Sequence, residues 1–403
     1  MPVAMIQRGA IVAGALLASA AVLQAGIAQT VSRTDPALAA RIAPDNARIA
    51  VAAASAVIAR GAQVSDPRVQ DLVGAALARD VTLPAAIELR AADLGAKGDA
   101  RREARLFELS SAISRRSLAT RLWLIQRSVD RGDVAGALRD FDMALRTSAA
   151  APPILFPILA GATSDGALIG PIAHMLDRPS DWRLMFLNYA LAHGDAPSLG
   201  EIVLRMRDRG FVRSNGIDRA LIARFVELRS FALAGRVRDA LSDGTPFPLI
   251  TDGEFADASA AYPFGWQLTD RGDVGAERAF LGGRPALSYR AEPGRGGQVA
   301  AQLLLLAPGT YRLETAAASP GMRGATPYWS LTCGERGSGS LARLDLPVHG
   351  GARAGVEFTV PSGCAGQWLT LTLVPGEAPA GRPGAVRWIS VRPVSPLAPA
   401  ARR

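Results

Sequence analysis

Lysine is almost missing from this chain. Of its 45 basic residues only Lys97 is a lysine, and its 403 residues include just two cysteines and three histidines. The histidines (His174, His193, His349) are scattered, and no second pair of Cys or His has ligand spacing, which argues against a zinc site. His-Glu-x-x-His, a nucleophile-elbow serine, a phosphate-binding loop and a dinucleotide fingerprint are all absent, so the commonest hydrolase, NTPase and oxidoreductase signatures are excluded. Charge is modest at 20% against 49% apolar residues, which excludes a disordered or fibrous chain. Bases are not concentrated either. Residues 35–243 hold 28 bases and 24 acids, and residues 246–403 hold 15 and 12. A nucleic-acid protein gathers its bases on one face, so none is expected as a partner. With heavy Ala, Gly and Pro usage, the near-absence of lysine has the look of a GC-rich bacterial genome. The net charge of +9 therefore says little about partners.

One long apolar run is present. Gly9 to Ala28 carries no charge and, as a helix, would reach about 30 Å, one bilayer core. Arg8 precedes it, placing residues 1–8 as a cytoplasmic tail and 9–28 as a single-pass inner-membrane anchor. The alternative is a cleaved signal peptide, with small residues at Gly26-Ile27-Ala28 or Ala18-Ser19-Ala20 as sites. Either way the bulk of the chain is expected in the periplasm or beyond. The cysteines fit an oxidising compartment. Cys333 and Cys364 each flank a strand-like run, and an even count in an exported domain predicts a disulfide. Closing that loop would stabilise the domain by roughly 3–4 kcal/mol.

Residues 35–243 read as successive amphipathic helices. Leu118, Leu122, Ile125 and Val129 recur at helical spacing, as do Val134, Leu138, Phe141 and Leu145, and Leu106, Leu109 and Ile113. Gly-Asp pairs at 98–99, 132–133 and 194–195 punctuate them, glycine for a left-handed turn and aspartate for the next cap. The first two pairs are 34 residues apart. The stretch Arg131–Pro152, with Ala137 and Ala144 at small positions seven apart, resembles the second helix of a tetratricopeptide repeat. The Trp–Leu-Gly–Tyr pattern of the first helix is absent, and Pro152-Pro153 breaks the period. The resemblance implies an α-α helical-repeat solenoid that binds protein partners. Arg101, Arg102, Arg105, Arg115 and Arg116 fall in its arginine-rich stretch, either as a solvated face or as a patch for an acidic partner.

Composition then shifts. Residues 244–248 form a linker by their Gly and Pro. Over 249–396, eight alternating runs separated by Gly/Pro clusters predict an antiparallel β-sandwich, and 397–403 a disordered tail. Asp252–Phe255 followed by Pro263–Trp266, and the closing strand VRWISV, are similar to jelly-roll carbohydrate-binding modules. That resemblance implies glycan binding without identifying the glycan. In the runs YWSLTC, QWLTLTLV and AVRWISV, alternation turns Tyr328, Trp368 and Trp388 outward, where they are candidates to stack on sugar or meet a protein. Asp252, Glu254 and Asp257 cluster as weak calcium candidates. No catalytic residue and no cofactor is expected. The overall expectation is an envelope-facing, non-catalytic scaffold for assembly or export of a surface polysaccharide. The alternatives are a glycoside-hydrolase-like enzyme using paired carboxylates and a protein-only envelope adaptor.

Overall fold

Many of the helices start where a short polar side chain satisfies free backbone N–H groups. A computed structural model describes residues 30–31, 34–242, 247–259, 262–319, 327–334, 339–347, 349–376 and 383–394. Within them fourteen bounded helices precede ten strands. Asp99, Asp133 and Asp195 accept from Arg102 N (3.0 Å), Gly136 N (2.8 Å) and Ser198 N (2.9 Å), each as an N-cap. Gly98 and Gly132 sit at φ +82° and +69°, whereas Gly194 does not adopt a left-handed conformation.

The described residues up to Leu159, with Arg178–Arg183, form one compact unit; Ala160–Asp177 and those from Leu184 onward form another. The first unit contains the paired helices Pro84–Ala96 with Ala100–Ile113 and Leu118–Asp130 with Val134–Thr147, so successive pairs start 34 residues apart. After Thr147 comes a helix with an internal proline, Pro157. This pairing is helical hairpin packing and does not by itself show a tetratricopeptide solenoid. The buried faces also depart from the apolar stripes. Leu109, Ile113 and Val129 are 46%, 40% and 58% exposed, while Ser110 and Thr120 are fully buried. The reason is a hydrogen-bonded cluster: both hydroxyls reach Glu88 Oε1 at 2.7 Å.

The single-pass inner-membrane placement is corrected here. Residues 9–28 lie outside the described residues, as do 1–8, 244–246 and 397–403. Among the described residues no helix is long and apolar enough to cross a membrane. The longest have 14 residues, about 21 Å at 1.5 Å per residue, against a bilayer core of about 30 Å.

The strands are β1 Gln267–Leu268, β2 Val274–Leu281, β3 Arg284–Ala291, β4 Gly297–Leu304, β5 Gly309–Ser319, β6 Tyr328–Cys333, β7 Ser340–Asp345, β8 Arg353–Val360, β9 Gln367–Leu373 and β10 Gly384–Pro393. They form two antiparallel five-stranded sheets, ordered β1-β4-β9-β6-β7 and β2-β3-β10-β5-β8. The chain is thus α then β, ending in a β-sandwich. Alternate residues of both sheets close one apolar core in which Trp329, Tyr311, Leu313, Leu369 and Leu371 are fully buried. Burial of each such side chain contributes about 1.5–3 kcal/mol. Edge strand β2 was not expected, since Glu277 and Arg278 interrupt its apolar alternation; charge is a common protection for an edge.

Two inward glutamines act as surrogate backbone at the ends of the core. Gln302 exchanges two hydrogen bonds with Thr251, and Gln367 joins Leu306 N (2.8 Å) to Cys364 O (2.6 Å). Cys333 and Cys364 form a disulfide with Cα atoms 5.7 Å apart. Beside it, Phe231 from the last helix (Phe231–Leu241) lies where a Cβ on Gly334 or Gly366 would fall, within 2.5 and 2.4 Å of its ring atoms. Arg229 Nη1 donates to Gly334 O at 2.7 Å. Only glycine at both positions admits that ring.

Candidate functional site

Each outward aromatic occupies the face its alternation requires, but the faces differ. Tyr328 and Trp368 belong to the β1-containing sheet and Trp388 to the other. All three are half-buried. Around the first two the polar groups are engaged. Arg343 caps Tyr328 with its guanidinium carbon 3.8 Å from the ring centroid, and Ser330 hydrogen-bonds Thr370 at 2.7 Å. Trp368 stands between Thr332 and Leu303 of the neighbouring strands.

The opposite face is laid out differently. Register places Trp388, Ala316 and Arg353 side by side across β10, β5 and β8. The next outward row is Ser390, Glu314 and Gly355, and the third is Arg392, Arg312 and Glu357. Gly355 has no side chain, which leaves room over the middle row of this grid. A groove of about 510 Å³ follows it, with Trp388 in its floor and Glu254 on its rim. A register shift between Val386 and Trp388 re-aims the indole. Arg387 steadies that bulge by donating to the carbonyls of Leu281, Arg284 and Pro285 at 3.1–3.2 Å.

The groove's charges are unequally satisfied. Arg312 bonds Glu314 at 3.1 Å and Glu357 at 3.2 Å, and these contacts push its guanidinium above its ordinary value. Arg353 leans toward the indole, its guanidinium carbon 5.8 Å from the ring centroid. Arg353, Arg392 and Glu254 have no ion-pair partner among the described residues. The buried Ser390 hydroxyl in the floor also lacks a hydrogen-bond partner.

The loop bearing Glu254 is held by its neighbours. Asp252 and Phe255 adopt φ +51° and +61°. Asp252 Oδ1 accepts from Ala256 N (2.6 Å) and Asp257 N (3.0 Å), and Oδ2 pairs with Arg278 at 3.1 Å. Trp266 Nε1 donates to Asp252 O at 2.9 Å. Asp257 turns away to Ser259, whose side-chain and backbone hydrogen bonds hold its carboxyl below the ordinary range. The three calcium candidates are therefore not brought together. Among the described residues no group of three or more His, Cys, Asp or Glu is placed to hold a metal ion.

Arg101, Arg102, Arg105, Arg115 and Arg116 are all exposed. Arg101, Arg102 and Arg105 lie in the first turns of the helix Ala100–Ile113, and Arg115 and Arg116 follow its C-terminus. Sequence reasoning missed Arg312, Glu314, Arg353 and Gly355. Their i, i+2 spacing marks outward positions, but it does not say that β5 and β8 lie beside β10.

No family model and no curated protein matches the chain. Solved structures similar to part of the chain include a tailspike protein 4 enzymatically active domain from bacteriophage CBA120. That match has 13% identity and TM-score 0.28, covering 36% of this chain and 21% of that one. A family 4 carbohydrate-binding module has 18% identity and TM-score 0.28 over 36% and 99%. A family 61 module in complex with β-1,4-galactotriose has 16% identity and TM-score 0.24 over 35% and 91%. At such identities and scores a shared function does not follow, and the site's chemistry rests on its own residues.

Proposed function

We propose that this chain is a non-catalytic glycan-binding protein whose sandwich takes a saccharide along the outer face of the β10-β5-β8 strands. The observation that carries the reading is the groove itself: an indole in an open floor, flanked by hydrogen-bonding groups that intramolecular contacts leave available. A pyranose presents C–H groups on its ring faces and hydroxyls around its edge. A flat ring with polar groups beside it matches both. The groove carboxylates suit binding better than glycosidic cleavage. Glu314 is already engaged by Arg312 at 3.1 Å, so it serves a partner within the fold. In the same reading the helical region serves protein contacts, tested by co-purification with the full chain.

Glycan-array and affinity-electrophoresis measurements on the full chain test the binding. Trp388→Ala should abolish retention by any bound glycan, whereas Trp368→Ala should leave it unchanged. Shortened oligosaccharides after prolonged incubation would overturn the non-catalytic reading. Retention surviving Trp388→Ala would overturn the site.

A further inference from the structure

We infer that the groove selects a uronate-bearing glycan, with Arg353 taking the carboxylate of the sugar stacked on Trp388. This rests on the glycan-binding reading above and adds the ligand's charge.

Three guanidiniums border the groove, and they are not equivalent. Arg312 is held between Glu314 and Glu357, so its donors already serve the fold. Arg353 and Arg392 are exposed and have no carboxylate partner among the described residues, against the single unpaired carboxylate of Glu254. With Glu314 and Glu357 counted beside Glu254, the three arginines of this face meet three carboxylates, so what marks out Arg353 is its open guanidinium and not a net charge. Arg353 is also placed relative to the stacking floor. It shares a row with Trp388, only Ala316 stands between their strands, and its guanidinium carbon lies 5.8 Å from the indole centroid. A pyranose laid on that indole carries a C5 carboxylate at its edge, in its own plane. The planar guanidinium fork is the side chain that matches a carboxylate with two parallel hydrogen bonds. A neutral sugar would cover the indole and leave this fork hydrated. Glu254, on the rim beside Ile389, is an acceptor for hydroxyls.

The test uses the full chain with polygalacturonate, alginate and hyaluronan, each also as its methyl ester, and poly-L-glutamate as a polyanion without sugar, at ~0.15 M salt, where long-range attraction is screened. The expected result is that at least one uronate polymer binds about tenfold or more tighter than its ester, the size of effect a charged hydrogen-bond pair gives. Arg353→Gln should remove that preference while leaving ester binding within about twofold. Arg353→Lys, which keeps the charge and loses the fork, should restore only part of it. An ester bound as well as its acid, a preference surviving Arg353→Gln, or poly-L-glutamate bound as tightly as the best polymer would each overturn the inference. Binding of no acid polymer would do the same. If neutral glycans are then retained through Trp388, the glycan-binding reading stands and only the uronate specificity falls. If nothing on an array is retained, both fall.

Discussion

The helical unit and the sandwich treat polar side chains in opposite ways. Inside the helices, several buried polar groups answer one another, although Arg121 Nε has no hydrogen-bond partner among the described residues. Ser110 and Thr120 share Glu88 and bond each other at 2.9 Å; Arg121, 6% exposed, meets Asp140 at 2.7 Å and Ser111 at 2.8 Å; Asp93, 1% exposed, holds Lys97 at 2.8 Å. The sandwich core is mostly apolar, and its charge stands outside, with Arg353, Arg392 and Glu254 lacking an ion-pair partner among the described residues on one face. A satisfied buried group specifies packing, because losing its partner is costly. An unsatisfied exposed one remains available to a ligand. The helical networks therefore read as architecture and the sheet face as function.

Breaking the helical side should have the largest effect. Asp140→Ala leaves the buried Arg121 guanidinium without its carboxylate, with Ser111 as its remaining side-chain partner among the described residues, and should cost about 3–5 kcal/mol in denaturant unfolding followed by helical ellipticity. Next comes Cys364→Ser, expected to destabilise the sandwich by about 2–5 kcal/mol while leaving the helical unit's transition in place. A single concerted transition shifted as a whole would contradict this.

A pH series sharpens the comparison. Burial tends to raise the Asp93 carboxyl, but hydrogen bonds from Lys97 and Ser65 and the attraction of Lys97 and Arg90 outweigh it and hold it below its ordinary 3.8. A carboxyl lowered on folding stabilises fully above its unfolded value, and loses that contribution as pH falls through the folded one. The stability gap between wild type and Asp93→Asn should stay constant from about pH 7 to pH 5 and narrow below about pH 4. A gap that widened in acid would reverse the sign. The smallest stability effect belongs to the functional face: Trp388→Ala should change unfolding by no more than about 1 kcal/mol and yet eliminate glycan retention.

Much of the chain was legible because local rules governed it. Gly98-Asp99 and Gly132-Asp133 mark helix boundaries since φ > 0 and an N-cap are single-residue requirements. Alternation in YWSLTC, QWLTLTL and the WISV end of β10 assigned faces because an unbulged strand has a period of two. The helix faces were misread where Ser110 and Thr120 displaced Leu109 and Val129 from the interior. Only a partner 22 or 32 residues away, Glu88, makes a hydroxyl welcome there.

The sequence by itself therefore determined that helices precede strands, the inward and outward residues of the clearly alternating strands, and a cysteine pair suited to a disulfide, each a matter of short-range periodicity and conformational limits. Tertiary structure alone decided which strands became neighbours. Strand order brought residues from 254, 312–314, 353–355 and 388–392 onto one face and put Trp368 on the other. It also decided which arginines found acids and which stayed open, since ion pairing depends on distance in space and not along the chain.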